Sequence, residues 1–282
     1  MKILITGATS YIAKYISKQF LEEGHSIYGL SRKNPEIIHQ NYKWIKKDLL
    51  KDNLDYIEID FIIHLAAESK LNMPATVYYE SNIKLTKIVS TYAKLLQPKA
   101  IFYTSSMKVY GEIKEKEVDE ETSFINQDLY GASKYFGEKL LEEVSPTISL
   151  RLPGIIALGS HGWIDSVYQK LKKNEDISLT NSKYNHVLHA FDIFNVIKMI
   201  IKKGSFTKTN IFNLSSSNSI DSKEAVLFLK QSLNSTSDIK ILDVNSFNYI
   251  LSNKKISKIY KPMDVIDSLE LYLKEMKLGK YE

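Results

Sequence analysis

A short apolar run, Ile3-Leu4-Ile5, opens the sequence and passes straight into Thr6-Gly7-Ala8-Thr9-Ser10. Ile12, Ile16 and Phe20 then recur every four residues, the spacing of one helix face, up to a stop signal at Gly24. Few folds accommodate a buried strand, a tight glycine turn and an amphipathic helix in that order at a chain start. The rhythm continues through expected strands at Ser26–Leu30, Lys43–Lys46, Phe61–Leu65, Ala100–Thr104 and Thr147–Leu152. Long helical patterns occupy Val77–Leu96 and Leu129–Val144, the second with Leu129, Phe136, Leu140 and Val144 along one side. Strands interleaved with helices predict an α/β fold, a doubly wound parallel sheet with right-handed crossovers. After Pro153 the alternation breaks into an expected helix at Trp163–Lys173, short strands at Val187–Ala190 and Ile211–Leu214, and a terminal helix at Val265–Met276. The serine-rich stretches Ser215–Ser219 and Ser232–Ser237 read as loops.

Composition narrows the function classes. With 282 residues, 44% hydrophobic and 25% charged, the chain is sized for one large α/β unit or one unit with a smaller appendage. There is no cysteine, which excludes disulfides and thiolate chemistry and permits a cytoplasmic location. No apolar stretch approaches the roughly 18 residues of a membrane span, so no membrane partner is expected. The net charge of +5 comes from 36 Lys and only 2 Arg, scattered rather than clustered. That is a solvated lysine surface, and no nucleic-acid partner is expected.

Three segments carry chemistry. A strand, a glycine turn and a helix N-terminus together make an anion site, because free backbone N–H groups and the helix dipole point at a phosphate. The dinucleotide fingerprint places three small residues there, and this chain offers Gly7, Ser10 and Ala13. Ser10 stands where the backbone must approach the pyrophosphate. The second strand ends in Leu30-Ser31-Arg32; an arginine at that end favours a ribose 2′-phosphate, hence NADP, with NAD as the alternative. Tyr130 and Lys134 stand four apart on one helix face, where an ammonium is expected to lower the phenol pKa. Spacing cannot single them out, since Tyr-x-x-x-Lys also occurs at Tyr42, Tyr110, Tyr135 and Tyr168. Chain order can: only Tyr130 opens a helix after a strand that ends in Thr104-Ser105-Ser106, a place where ligands gather in an open α/β sheet.

Taken together, Thr6-Gly7-Ala8-Thr9, His64-Leu65-Ala66-Ala67, Ser105-Ser106-x-x-Val109-Tyr110-Gly111 and Tyr130-Gly131-Ala132-Ser133-Lys134 resemble the extended short-chain dehydrogenases, the NAD-dependent epimerase/dehydratase group. Arg151-Leu152-Pro153-Gly154, His189-Ala190-Phe191-Asp192 and Phe212-Asn213-Leu214 are similar to later landmarks of that group. The resemblance implies a Rossmann-type cofactor domain at 1–153 and 187–216, and a smaller, discontinuous substrate domain at 154–186 and 217–282. It implies Ser106 as the catalytic hydroxyl, Tyr130 as the acid/base and Lys134 as the ribose-binding cation. Gly7, Thr9, Ser10, Tyr11, Ile12 and Arg32 would meet the cofactor along the first turn and second strand. Asp48 and Leu49 would flank the adenine, Leu65, Ala66 and Ala67 would line the groove, and Thr104 and Pro153 would lie along it. A nucleotide-sugar substrate and a homodimer formed through the two long helices are implied as well, and no metal.

Within the group, 4,6-dehydratases carry Asp-Glu after the catalytic hydroxyl; here Met107 and Lys108 stand there and cannot serve as a carboxyl acid and base. Arg32 then favours a reductase of a 4-keto-6-deoxy nucleotide sugar, of the kind used in polysaccharide biosynthesis. A nucleotide-sugar 4-epimerase with tightly held NAD, and a non-catalytic NAD(P)-binding regulator, remain as alternatives. Specificity is expected in the loops around Ser160–Asp165 and Lys183–Val187, with Trp163, Asn185 and His186 as candidates.

Overall fold

A computed structural model describes residues 1–144, 146–206, 208–242 and 249–279. Its centre is a seven-stranded sheet in the spatial order Tyr42–Lys46, Ser26–Ser31, Lys2–Thr6, Phe61–His64, Ala100–Ser106, Thr147–Leu152, Asn210–Asn213. We label its first five strands in chain order β1 (Lys2–Thr6), β2 (Ser26–Ser31), β3 (Tyr42–Lys46), β4 (Phe61–His64) and β5 (Ala100–Ser106). The pairings β1–β2, β2–β3, β1–β4 and β4–β5 are all parallel, with Ile3 beside Ile27 and Phe61, and Thr6 beside Leu30 and His64. The expected doubly wound parallel sheet is therefore present. Its strand order reverses at β1, so the crevice between the C-terminal ends of β1 and β4 is the switch point where such sheets bind ligands.

The strands form where Ile, Leu and Phe are packed on both faces, and Ile3, Ile5, Ile62 and Ile63 are fully buried. Helix α1 (Tyr11–Glu22) buries Ile16, Phe20 and Leu21, and stops at Gly24, which takes a left-handed φ of 79°. The expected helix at Val77–Leu96 runs from Ala75 but is not uniform. Residues Tyr79–Lys84 form a π-helical segment between α-helices Ala75–Tyr78 and Leu85–Leu96, a wide turn that brings Asn82 inward.

The Leu129–Glu142 helix divides the residues of its expected apolar side. Leu129 and Phe136 are 56% and 54% exposed, whereas Gly131, Ser133, Lys134, Gly137, Glu138 and Leu141 are buried. Leu129 and Phe136 face out, Val144 packs partly buried against the core, and the buried side is mostly small and polar.

By internal contacts the chain groups into two units. The first comprises Met1–Glu112, Glu121–Arg151 and Phe194–Phe212, and holds the sheet. The second comprises Ile113–Glu120, Leu152–Ile193 and Asn213–Glu282. Compared with the division expected from sequence, this grouping assigns 113–120, 152–153, 187–193 and 213–216 to the second unit. The pairing of Glu117–Val118 with Ile250–Leu251, and of Val187–His189 with Gly154–Ile156, accounts for the first and third. Helices Trp163–Lys172, Ser222–Ser232 and Val265–Leu278 cover a core of the second unit built on Val167, Leu171, Val226, Leu229 and Leu269. Among the described residues, no helix is long and apolar enough to cross a membrane.

Candidate functional site

The site begins at the β1–α1 turn. Gly7 has φ +72°, and a Cβ there would sit 2.8 Å from the Ala66 backbone, so only glycine lets this turn lie against the loop after β4. Ser10 is the N-cap of α1: its N–H donates to the Gly7 carbonyl (2.9 Å), and its Oγ accepts from the Ala13 N–H (3.2 Å). The serine that departs from the glycine fingerprint is thus explained by capping.

Between this turn and the ends of β2 and β4 lies a cleft of about 290 Å³. Gly7, Thr9 and Ser10 form one wall, Leu65, Ala66 and Ala67 another, and Arg32, Asp48 and Leu49 the far end. Nine of the expected cofactor residues therefore meet in one place. Lys47 joins Arg32 there, beside Ser31, a second cation that sequence reasoning did not single out. Apolar Leu30, Leu50 and Leu85 complete the lining. A helix N-terminus, two cations and leucine walls suit phosphates, a ribose and a flat heterocycle in turn, so these residues fit a dinucleotide. Tyr11, Ile12, Thr104, Pro153, Tyr130 and Lys134 do not line the cleft. Thr104 donates its hydroxyl to the His64 carbonyl (3.3 Å), and Pro153 directly follows the Thr147–Leu152 strand.

Ser106, Tyr130 and Lys134 come together in the first unit. Ser106 ends β5 and caps the 3₁₀ turn Met107–Tyr110, its Oγ accepting from the Lys108 N–H (3.2 Å). Ser106 and Tyr130 share a side-chain hydrogen bond, and the Tyr130 ring lies 5.9 Å from that of Tyr78. Tyr11 and the cleft-lining Glu68 both act electrostatically with Tyr130, which ties this cluster to the cleft.

The expected lowering of the phenol pKa is not found. Loss of water around the half-buried Tyr130 pushes it up to about 12, and the Ser106 hydrogen bond offsets only part of this. Burial likewise pulls Lys134 down to about 7, against the attraction of Glu138. A low-dielectric site disfavours both ions, so at neutral pH Tyr130 is a phenol.

Two buried residues support this cluster: Asn82, which went unread in sequence, and His64. Asn82 accepts from the Glu68 N–H (2.7 Å) and donates to the Glu68 carbonyl (3.1 Å) and to Ser133 Oγ (2.8 Å), joining the cleft loop to the Leu129–Glu142 helix. A polar amide within an apolar helical pattern was the available signal. His64 bonds Thr6 Oγ1 through Nδ1 (2.7 Å) and Thr86 Oγ1 through Nε2 (2.9 Å). Burial first, then Lys134, pushes its pKa down to about 3, so it is a neutral tie between β1, β4 and the Leu85–Leu96 helix. Its role is structural.

In the second unit, Gly154–Ile156, Gly162–Ile164, Tyr184, His186 and Val187 line a cavity of about 200 Å³. Trp163 meets Tyr184 edge-on at 5.2 Å, and the buried His186 Nε2 has no hydrogen-bond partner among the described residues. Asn185, by contrast, is fully used within the unit, bonding Ser215 Oγ and both backbone groups of Leu251. Among the described residues no cluster could hold a metal ion.

Comparison with known proteins bears on the fold and the family. CDP-abequose synthase of Salmonella muenchen is 27% identical over 251 residues, 84% of this chain and 83% of that protein. The dTDP-D-glucose 4,6-dehydratase of Bos taurus is 24% identical over 72% of this chain and 65% of its own length. Among solved structures, the Bordetella bronchiseptica enzyme WbmG in complex with NAD superposes with a TM-score of 0.85 at 20% identity, covering 99% of this chain and 95% of that one. UDP-glucuronic acid 4-epimerase from Bacillus cereus in complex with NAD gives 0.81 at 18% identity, covering 99% of both chains. The sequence profile of the NAD dependent epimerase/dehydratase family matches residues 3–215, and the chain belongs to that family.

Proposed function

We propose that this protein reduces a nucleotide-linked 4-keto-6-deoxy sugar, using NADP(H) and the Ser106, Tyr130 and Lys134 side chains. The observation that carries the reading is the Ser106–Tyr130 pair: two hydroxyls joined by a hydrogen bond, with the phenol held protonated by its surroundings. A protonated acid is what reduction of a carbonyl requires, whereas oxidation of an alcohol requires a base first.

A nicotinamide cofactor, when bound, would supply the hydride. This chain's residues handle the oxygen. Ser106 Oγ donates a hydrogen bond to the substrate carbonyl as that oxygen gains charge, and Tyr130 Oη passes its proton to it. Lys134, poised near neutrality, then stabilises the phenolate left on Tyr130. In the cleft, Gly7, Thr9 and Ser10 would hold the pyrophosphate, and Arg32 with Lys47 the 2′-phosphate that distinguishes NADP from NAD. Met107 and Lys108 offer no carboxyl pair, so water is not eliminated. A nucleotide-sugar substrate is supported by relatives whose names specify CDP- and dTDP-linked sugars. We place the reaction in the cytoplasm.

A 4-epimerase that retains NAD is the second reading, favoured by the UDP-sugar 4-epimerases among the structural neighbours. One assay separates the two. Purified protein is mixed with NADPH and CDP-, dTDP- or UDP-linked 4-keto-6-deoxyglucose, while cofactor absorbance and sugar NMR are followed. One NADPH oxidised per new C4 alcohol is expected. Epimerisation of a 4-hydroxy sugar nucleotide with no net cofactor change would replace the first reading by the second. Cofactor binding without turnover of either substrate would leave only a binding role.

A further inference from the structure

Beneath the Ser106–Tyr130–Lys134 cluster lies an ion pair that the reaction does not touch. Glu138 is fully buried and Arg151 is 2% exposed. Glu138 Oε1 accepts from Arg151 Nε (3.0 Å) and from Ser105 Oγ (2.5 Å), and Oε2 accepts from Arg151 Nη2 (2.9 Å). Arg151 Nη1 donates to the Tyr110 hydroxyl (3.1 Å), and its guanidinium lies about 5 Å from the ring centres of Tyr110 and Phe124.

The attachment points are informative. Ser105 immediately precedes Ser106, and Tyr110 ends the turn that Ser106 caps. Glu138 follows Tyr130 and Lys134 at successive steps of four on the same helix face. One ion pair therefore grips the Ser106 segment at both ends and the Tyr130 helix from below. Removing two charges from water is costly, and apolar residues of similar volume commonly give equal or better stability. What such residues cannot supply is a two-pronged, directional link. In a chain with 36 Lys and 2 Arg, the arginine stands where two parallel N–H bonds to one carboxylate are made.

We propose that the Glu138–Arg151 pair is a positioning element of the reaction, holding the turn that carries Ser106 in register with the helix that carries Tyr130 and Lys134. This rests on the reading of those three residues given above. A second consequence is electrostatic. The groups around Lys134 are neutral His64 on β4, Tyr103 on β5 with its ring centre 4.2 Å from Nζ, and Tyr130 and Glu138 on its own helix. Among the described residues, Glu138 is the charged group that favours the Lys134 cation.

The test is Glu138→Gln, which keeps the shape and an acceptor for Ser105 but removes the charge. With NADPH and the keto-sugar nucleotide that wild type turns over best, kcat should fall about tenfold or more with KM nearly unchanged. The alkaline limb of the kcat profile should move to lower pH by on the order of one unit. In cofactor-free protein, the ¹³C-detected titration of the Lys134 side chain should move the same way. Arg151→Lys should retain more activity than Arg151→Met. Should Glu138→Gln fail to fold, the double change Glu138→Met with Arg151→Met removes both charges and decides through kcat alone. Tyr130→Phe separates the two ideas. Loss of turnover in Tyr130→Phe, with kcat and both titrations unchanged in Glu138→Gln, overturns the positioning role only. Retained turnover in Tyr130→Phe overturns the site reading and this proposal with it.

Discussion

Gly131→Ala is the most exacting test of the site geometry. Gly131 follows Tyr130 at the start of the Leu129–Glu142 helix. A Cβ built on it would lie 2.1 Å from the Lys108 carbonyl oxygen and 2.7 Å from its carbon. Both sides of that contact are backbone, so no flexible side chain can move aside. To reach ordinary contact of about 3.4 Å, the helix and the Met107–Tyr110 turn must separate by a little over 1 Å. Ser106 caps that turn, so its hydroxyl retreats from Tyr130 by a similar distance, enough to break an ordinary hydroxyl–hydroxyl hydrogen bond. A misplacement of about 1 Å typically costs on the order of 10²-fold in rate. Stability changes less: overpacking costs about 1–3 kcal/mol, and alanine returns about 1 kcal/mol of helix propensity. The variant should therefore fold, melt a few degrees lower (about 2–4 °C per kcal/mol) and lose about 10²-fold in kcat. Thermal melting and steady-state NADPH oxidation measure both. A kcat within about threefold of wild type, in a protein that melts normally, would refute the claim that this approach sets the Ser106–Tyr130 distance.

Other expectations follow from the same geometry. Tyr130→Phe should cost roughly 10²–10⁴-fold in rate while folding is unchanged, and Tyr135→Phe, whose ring packs edge-on against Phe124, should be nearly silent; kinetics on both variants decide it. Arg32→Ala should weaken NADP binding more than NAD binding by calorimetry, and adding Lys47→Ala should widen that difference; a clear NAD preference in the wild type refutes the NADP assignment. Ser10→Gly should leave cofactor affinity unchanged and cost a few tenths of a kcal/mol, whereas Ser10→Ala should cost about 1 kcal/mol through the lost helix cap, as read by thermal melting. The exposed Leu129 and Phe136 give the Leu129–Glu142 helix an uncovered apolar stripe suited to a second copy; light scattering at micromolar concentration should give a dimer, and Phe136→Glu a monomer.

The parallel sheet was legible because its strands are buried on both faces and so appear as unbroken apolar runs. Ala100–Thr104 was read two residues short of the structural strand Ala100–Ser106, since Ser105 and Ser106 are polar yet buried. The second unit was much less legible. Its strands Ile177–Leu179, Lys183–Tyr184, Ile220–Asp221 and Ile239–Ile241 are two or three residues long, too short for any period to register. The helix Ser222–Ser232 was hidden between serine-rich stretches, and Ala190–Lys203 is apolar on too many sides to show a face. The π-helical turn at Tyr79–Lys84 left no mark in the four-residue spacing either. It depends on Asn82 finding Glu68 and Ser133, which are remote in sequence.

At the site, chain order singles out Tyr130 from five equivalent spacings, and the structure brings it beside Ser106, whereas the apolar spacing of its helix did not show which side is buried. A binary pattern equates buried with apolar, whereas the buried side of this helix carries Ser133, Lys134 and Glu138, so the local rule breaks there. The informative residues there were those that composition made rare. Lysine supplies almost every cation in this chain, which makes each arginine a position where a flexible point charge will not serve. Arg151 bears this out by engaging both oxygens of Glu138 at once. The same reasoning applied to Arg32, at the cleft's far end beside Lys47 and Ser31, supports the proposed role: its planar fork suits paired oxygens, which a 2′-phosphate would offer.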